Sequence, residues 1–190
     1  LSSEGEIRKI GDIQNGDGGT ILFDSQKLII TDNPPDNLTI AQKITSGQGA
    51  IRMPGLADGD NFGGSAAIEG NLLAVSAPGD SGSGSNNHGA VHLFSGLAGD
   101  SSGLTWVKKL SSDTGAINMP QLAESDSFGT AVALDGDRLA VGARGAILGD
   151  GNHGAVYLFT DVGTNFSGLT WRDKLTSATH NMPALADSDF

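Results

Sequence analysis

Two glycine-rich loops contain the side chains of this chain that could coordinate a metal ion. The loops run over residues 79–88 and 145–153. The candidate ligands in them are Asp80, Asn86, Asp150 and Asn152. Carboxylate and amide oxygens on a strongly curved backbone suit Ca²⁺, so these residues predict calcium sites. The alternative is that aspartate and asparagine form Asx turns without a metal, and the single aspartate in each loop favours it because weakly charged sites bind Ca²⁺ poorly.

A histidine stands at the end of each loop, just before a predicted strand. Imidazoles in pairs can bind zinc or titrate near neutral pH. His88 and His153 lie one in each repeat, so a shared site would need two repeats to bring them together. We therefore expect each histidine to be hydrogen-bonded and to fix its turn.

One short segment matches the surroundings of a chymotrypsin-like protease nucleophile. Residues 79–82 read Gly-Asp-Ser-Gly. A nucleophilic serine needs a base and an orienting acid within hydrogen-bond reach, and the matching loop of the next repeat has Ala146 and Ile147 instead. We predict that this chain has no catalytic residues and is not an enzyme.

The two tryptophans could stack on sugar rings, as tryptophan side chains do in lectin-type propellers. Trp106 and Trp171 occupy the same position of the repeat, where a partial earlier copy has Ile40. An isoleucine at that position favours packing in the core or between units. Sugar binding stays open as the alternative.

All of these residues belong to a chain that repeats itself. Phe62-Gly63 recurs as Phe128-Gly129, and Trp106 recurs as Trp171 with the intervening elements in the same order. Copies in this order indicate an array of one structural unit. We divide the chain into an unassigned leader, the second half of an earlier repeat, two complete repeats and the start of a further one. These parts are residues 1–14, 15–52, 53–118, 119–181 and 182–190.

The second repeat contains four runs that have the length of strands. They are residues 129–134, 138–143, 155–160 and 169–175. Residues 135–137 and 69–71 predict tight hairpins because their glycine supplies the positive φ that short turns need. The middle runs are apolar on both faces, which is typical of a sheet covered on both sides.

Such sheets must stack on their neighbours, since a free apolar face of this size is rare in soluble monomers. We predict an all-β fold of four-stranded antiparallel blades that form part of a β-propeller, about two and a half blades in this chain. A linear stack of the same sheets is the alternative. Unpartnered blade faces also predict that these 190 residues self-associate.

The composition limits the kinds of partner that this chain is expected to bind. The chain has 22 acidic and 11 basic side chains and a net charge of −11. This charge repels phosphate backbones and anionic lipid, so we expect no nucleic-acid partner. No apolar run of about 18 residues occurs, so we expect no membrane insertion. The absence of cysteine excludes disulfides and thiolate sites from these residues.

Three spaced elements of each repeat resemble the FG-GAP repeat, the blade unit of integrin-α-type propellers and of many bacterial surface proteins. They are Phe62-Gly63 with Phe128-Gly129, residues 76–78 with 142–144, and residues 89–91 with 154–156. The resemblance implies a propeller fold and a non-enzymatic role in adhesion or extracellular scaffolding. In calcium-binding members an aspartate-rich loop joins the first two strands, whereas this chain has only residues 69–71 and 135–137 there, too few to surround Ca²⁺.

We therefore predict a non-enzymatic extracellular module that acts as a structural or adhesive scaffold of a secreted or cell-surface protein. Its expected partners are other repeats or copies of the same protein, with a surface protein or a glycan as a further ligand. Two alternatives remain open, namely a carbohydrate-binding propeller and a subunit of an extracellular filament.

Overall fold

The computed structural model describes residues 20–24, 27–31, 43–81, 88–97, 103–112, 114–148, 151–152 and 154–177. Regular secondary structure within these ranges is entirely β, as predicted. None of the described ranges contains a helix that could cross a membrane.

Two four-stranded antiparallel sheets form the body of the protein, and they are called the first and second blades below. The first blade contains, in spatial order, β3 (Ala66–Glu69), β4 (Leu72–Ala77), β5 (Ala90–Ser95) and β6 (Thr105–Leu110). The second contains β7 (Phe128–Asp135), β8 (Arg138–Ala143), β11 (Ala155–Thr160) and β12 (Thr170–Thr176). The predicted four-stranded antiparallel blades are therefore confirmed.

Two small hairpins add to the predicted elements. Strands β1 (Thr20–Asp24) and β2 (Lys27–Thr31) pair with each other, and so do β9 (Ile147–Leu148) and β10 (Gly151–Asn152) inside the second glycine-rich loop. The repeat alignment predicted β1 as a third strand of an earlier blade but did not predict β2. Because much of residues 15–52 and all of 182–190 lie outside the described ranges, the proposed repeat bounds stay a prediction.

The tight turns between the first two strands of each blade form where glycine was predicted to permit them. Strand β3 connects to β4 through Gly70 and Asn71, and β7 connects to β8 through Gly136 and Asp137. Gly70 has φ 54° and Gly136 has φ 55°. A side chain at either position would be strained, so the glycines allow two-residue connections and set the register of each hairpin.

The main hydrophobic core lies between the two blades. We call the face of the first blade that packs on the second blade its trailing face, and the opposite face its leading face. The faces of the second blade are named by the equivalent positions of its repeat. The trailing face of the first blade contributes Leu72, Ala74, Val91, Leu93 and Leu110. The leading face of the second contributes Leu139, Val141, Tyr157 and Phe159. Burial of a valine, leucine or phenylalanine side chain stabilises by roughly 1.5–3 kcal/mol, so the core holds the blades together.

A second core covers the leading face of the first blade. Leu73, Val75 and Phe94 of the sheet pack against Met53 and Leu104, with residues 44–62 contributing further half-buried side chains. All six side chains of β4 are buried because one half faces each core. The prediction of a sheet covered on both sides is confirmed for the first blade.

Candidate functional site

The junction between the blades is built around the repeated Phe-Gly pair. Gly129 has φ 94°, and a Cβ there would lie 2.6 Å from the carbonyl oxygen of Ala90 in the first blade. The backbone N–H of Phe128 donates to the carbonyl of His88 at 2.9 Å. Only glycine combines this φ with so close an approach, so Gly129 allows the second blade to seat directly on the first.

Side chains from the first blade complete the junction. The N–H of Val132 donates to Ser65 Oγ at 3.2 Å. The imidazole of His88 donates through Nδ1 to the carbonyl of Ala123 at 2.8 Å. His88 is therefore hydrogen-bonded, as predicted, but it bonds to the next repeat rather than within its own turn. The other predicted histidine, His153, lies outside the described residues.

Buried aspartates before each Phe-Gly pair were not identified from the sequence. Asp60 Oδ2 accepts from the N–H of Ala57 at 2.8 Å, and Asp126 Oδ2 accepts from the N–H of Ala123 at 3.0 Å. Each carboxylate closes the turn that leads into the Phe-Gly pair of its own repeat. The signal that could have revealed them is an aspartate two residues before phenylalanine in both repeats.

Asp80, one of the predicted calcium ligands, lies at the end of the first blade in a charged cluster. Both of its carboxylate oxygens accept from Lys109 Nζ at 3.2 Å. His92 Nε2 lies 3.8 Å from Oδ2, and Trp106 Nε1 donates to His92 Nδ1 at 3.2 Å. The last bond assigns the imidazole hydrogen to Nε2, which has no hydrogen-bond partner among the described residues.

Of the four predicted calcium ligands, Asp80 is the one whose side chain the structure describes. Asn86 and Asp150 lie outside the described residues, and Asn152 lies in β10 with its side chain outside the description. No group of three or more His, Asp or Glu side chains arranged for a metal occurs in the described ranges. The structure shows Asp80 engaged with a lysine, and calcium binding stays a prediction.

The second blade places different residues at the same positions. Tyr157 replaces His92, Lys174 replaces Lys109, and Ala146 replaces Asp80. The Tyr157 hydroxyl donates to Asp126 Oδ2 at 3.4 Å, and Lys174 Nζ lies 5.0 Å from the tyrosine ring centre. Burial raises the pKa of Tyr157 far above its usual range, and the adjacent negative charge of Asp126 raises it further. Tyr157 is therefore a neutral hydrogen-bond donor at physiological pH.

The tryptophans lie on the fourth strands and are half-buried in both blades. Trp171 packs against the interblade core, and its Nε1 has no partner among the described residues. Trp106 packs against the core of the first blade and lines an open groove of about 500 Å³ between β6 and the segment before β12. Both therefore contribute to packing, as predicted.

A family comparison agrees with this geometry. The model of the FG-GAP repeat matches residues 46–94 and 120–159, which include both Phe-Gly pairs. This chain belongs to the FG-GAP repeat family. FG-GAP repeats are β-propeller repeats, so the two sheets are propeller-type blades. The family is generally non-enzymatic, and its repeats are typically extracellular adhesion or scaffold modules. No curated protein matches the chain.

Proposed function

We propose that this FG-GAP chain is a non-enzymatic, extracellular scaffold with structural or adhesive function in a secreted or cell-surface protein. The observation that carries the proposal is the junction, in which two units share one core and Gly129 lies against Ala90. Such a joint holds neighbouring blades in a fixed orientation. Loops at the blade ends are then presented on a rigid platform, which is how many scaffolds position binding residues.

The experiment replaces the polar residues of one loop together. Ser83→Ala, Ser85→Ala, Asn86→Ala and Asn87→Ala are combined, and adhesion of beads coated with the chain to whole cells is measured under flow. We expect adhesion to be lost while the circular dichroism spectrum and the denaturation midpoint stay unchanged. The control combines Asp58→Ala with Glu124→Ala, two exposed carboxylates outside the loops. Equal adhesion of the loop variant and the original chain would contradict an adhesive role for this loop.

Calcium in the glycine-rich loops is a further part of the proposal. Ligand binding to the folded state raises the melting temperature by mass action, so millimolar Ca²⁺ should raise it while Mg²⁺ at the same concentration does not. Asp80→Asn should reduce the shift, and Asp58→Asn, in an exposed turn, should not. Equal melting temperatures with and without Ca²⁺ would favour the Asx-turn alternative, in which no metal is bound and Lys109 pairs with Asp80.

Glycan binding is the second candidate function, and the groove beside Trp106 favours it. An aromatic ring, the amine of Lys108 and the hydroxyls of Thr114 and Ser167 line this groove. Such a set can stack on a sugar ring and bond its hydroxyl groups. A glycan array with the fluorescently labelled chain tests this, with the double variant Lys108→Ala and Ser167→Ala as comparison. Binding that survives the double variant, or no binding at all, would exclude the groove as a glycan site.

A further inference from the structure

The groove beside Trp106 is built by both repeats. The residues that line it come from β6, from the segment that follows β6 and from the loop before β12: Trp106, Lys108, Lys109, residues 114–117, Ser167 and Leu169. The N–H of Ile117 donates to the carbonyl of Leu169 at 2.8 Å, and the carbonyl of Ile117 accepts from the N–H of Trp171 at 2.9 Å. The wall opposite β6 is therefore anchored to the second blade, so a ligand does not have to order it.

Two side chains of β6 that line the groove are held from behind by the charged cluster of the first blade. Trp106 Nε1 donates to Nδ1 of the buried His92 at 3.2 Å. Lys109 Nζ donates to both carboxylate oxygens of Asp80 at 3.2 Å, so the charge of Lys109 is compensated. Side chains that are fixed in advance lose little rotamer freedom on binding, which lowers the entropic cost of holding a ligand. The groove is thus preorganised on both sides.

Lys108 makes this groove cationic on a chain whose overall charge is acidic. Unlike Lys109, it forms no ion pair with a described residue. No carboxylate lines the groove within the part of the chain that the structure describes, although the whole sequence has 22 acidic and 11 basic side chains. In the second repeat Asp173 stands at the position of Lys108, so the equivalent position there carries the opposite charge.

These features together specify the chemistry of a ligand. Thr114 and Ser167 are exposed and supply hydroxyl groups that can bond to those of a sugar, and the indole of Trp106 supplies an apolar surface for its ring. One ammonium group, that of Lys108, matches one carboxylate. A net charge of −11 repels polyanions, which favours a single acidic residue within an otherwise neutral glycan.

We propose that this groove binds a glycan through one carboxylated sugar residue, whose carboxylate pairs with Lys108 and whose ring lies beside Trp106. Uronic and sialic acids both carry this group. The inference rests on the proposed glycan-binding function and names the class of sugar. Lys108 is then the residue that sets specificity, while His92 and Asp80 act as positioning residues for Trp106 and Lys109.

The test compares sugars that differ only in the carboxylate. One pair is a tetrasaccharide with a single glucuronic acid residue and the same molecule with that carboxyl group reduced to the alcohol. The other pair is sialyllactose and its carboxyl-reduced form. Isothermal titration calorimetry measures binding by the original chain at low and at high salt. At low salt we expect the acidic form of at least one pair to bind about fivefold more tightly than its reduced form, as a partly exposed ion pair allows. High salt should diminish this preference.

Variants locate the preference at Lys108. Lys108→Gln should bind both forms of a pair equally, and Lys108→Asp, which introduces the charge of the second repeat, should prefer the reduced form. Arg144→Gln, at an exposed arginine that does not line the groove, is the matched control and should keep the preference for the acidic form.

Fluorescence locates the bound sugar. The chain has two tryptophans, so in Trp171→Phe the emission reports on Trp106 alone. We expect this emission to change when the acidic sugar is added. Circular dichroism of every variant separates loss of binding from loss of fold.

The possible outcomes separate this inference from the glycan function on which it rests. No binding of any probe would contradict both. Equal binding of acidic and reduced forms in both pairs would leave glycan binding in place and overturn the role of the carboxylate. A preference that survives Lys108→Gln, or binding without a change in Trp106 fluorescence, would place the acidic sugar elsewhere and overturn the proposal. Tighter binding of a short peptide with one glutamate than of any sugar would identify a peptide site and overturn it as well.

Discussion

The two blades have the same four strands but surround their buried polar groups differently. In the first blade Asp80 is neutralised by Lys109, and His92 accepts from Trp106. In the second blade Ala146 stands in place of Asp80, and Tyr157 bonds to the turn aspartate Asp126. A buried carboxylate is tolerated only when a charge or hydrogen bonds compensate its desolvation. The comparison teaches that the two blades of this chain use different sets of residues at the same end of the blade.

The largest difference between the blades should appear at the two Phe-Gly glycines. Gly129→Ala introduces strain of about 1–3 kcal/mol from its positive φ and a collision with Ala90 that adds about 1–3 kcal/mol. The Cβ of Gly63→Ala meets no described atom, so this variant should lose only the stability that the positive φ costs. Urea denaturation of both variants gives the two free energies of unfolding. Equal losses would mean that the junction tolerates a Cβ and that the close approach is not limiting.

The next largest effect should follow removal of the charged cluster from the first blade. Asp80→Ala leaves Lys109 and the Nε2–H of His92 without the carboxylate, and we expect a loss of about 1–3 kcal/mol in unfolding free energy. Adding His92→Tyr recreates the arrangement of the second blade and should recover part of that loss. A double variant less stable than Asp80→Ala alone would show that the two solutions are not interchangeable. Chemical denaturation of the single and double variants decides this.

The pH response of the second blade sharpens the comparison at alkaline pH. Tyr157 is the single tyrosine of the chain, so absorbance of tyrosinate reports on it alone. Its folded-state pKa is raised, so the stability it contributes is complete below the unfolded pKa of about 10 and is lost as pH rises further. Tyr157→Phe should lose about 1 kcal/mol at neutral pH but should be less sensitive to alkali. Ionisation of the native tyrosine at its usual pKa would contradict this burial.

The smallest expected difference concerns the tryptophans. Trp106→Phe removes the donor that satisfies His92 Nδ1, whereas Trp171→Phe removes an N–H that has no partner among the described residues. We expect Trp106→Phe to be more destabilising by about 0.5–1.5 kcal/mol, the value of one hydrogen bond. Thermal denaturation of the two variants provides the comparison. A larger loss from Trp171→Phe would indicate that the indole N–H of the second blade has a partner after all.

Much of the blade architecture could be predicted from the sequence because it depends on local pattern. Turn signals and run lengths identified the four strands of the second repeat, with boundaries within a residue of the observed ones. The repeat then extended this assignment to the first blade. Strand β2 was missed because the repeat alignment offered no counterpart for residues 27–31, and the hairpin β9–β10 was missed because it lies in a glycine-rich loop.

The polar residues of the candidate site were only partly predictable. Asp80 was identified from its loop, but its bond to Lys109 joins residues that are separated by a whole hairpin. Composition of the loop favours a metal ligand or an Asx turn and contains no information about which strand lies beside it. His88 was expected to bond locally, yet its acceptor Ala123 belongs to the next repeat. Sequence spacing within one unit cannot identify contacts that form only when two units pack.

The sequence by itself determined the strands and hairpin turns, because apolar runs and glycine placement act over a few residues at a time. Recurrence of these signals in the same order also determined the repeating unit and its membership of the FG-GAP family. Only the tertiary structure decided which of two equivalent glycines is confined, that Val91 is buried while its counterpart Val156 is 38% exposed, and that Lys109 neutralises Asp80. Gly63 has φ 92° and Gly129 has φ 94°, and they differ because, within the part of the chain that the structure describes, only Gly129 has a neighbouring blade against it. Packing between distant segments, not residue type, sets these differences.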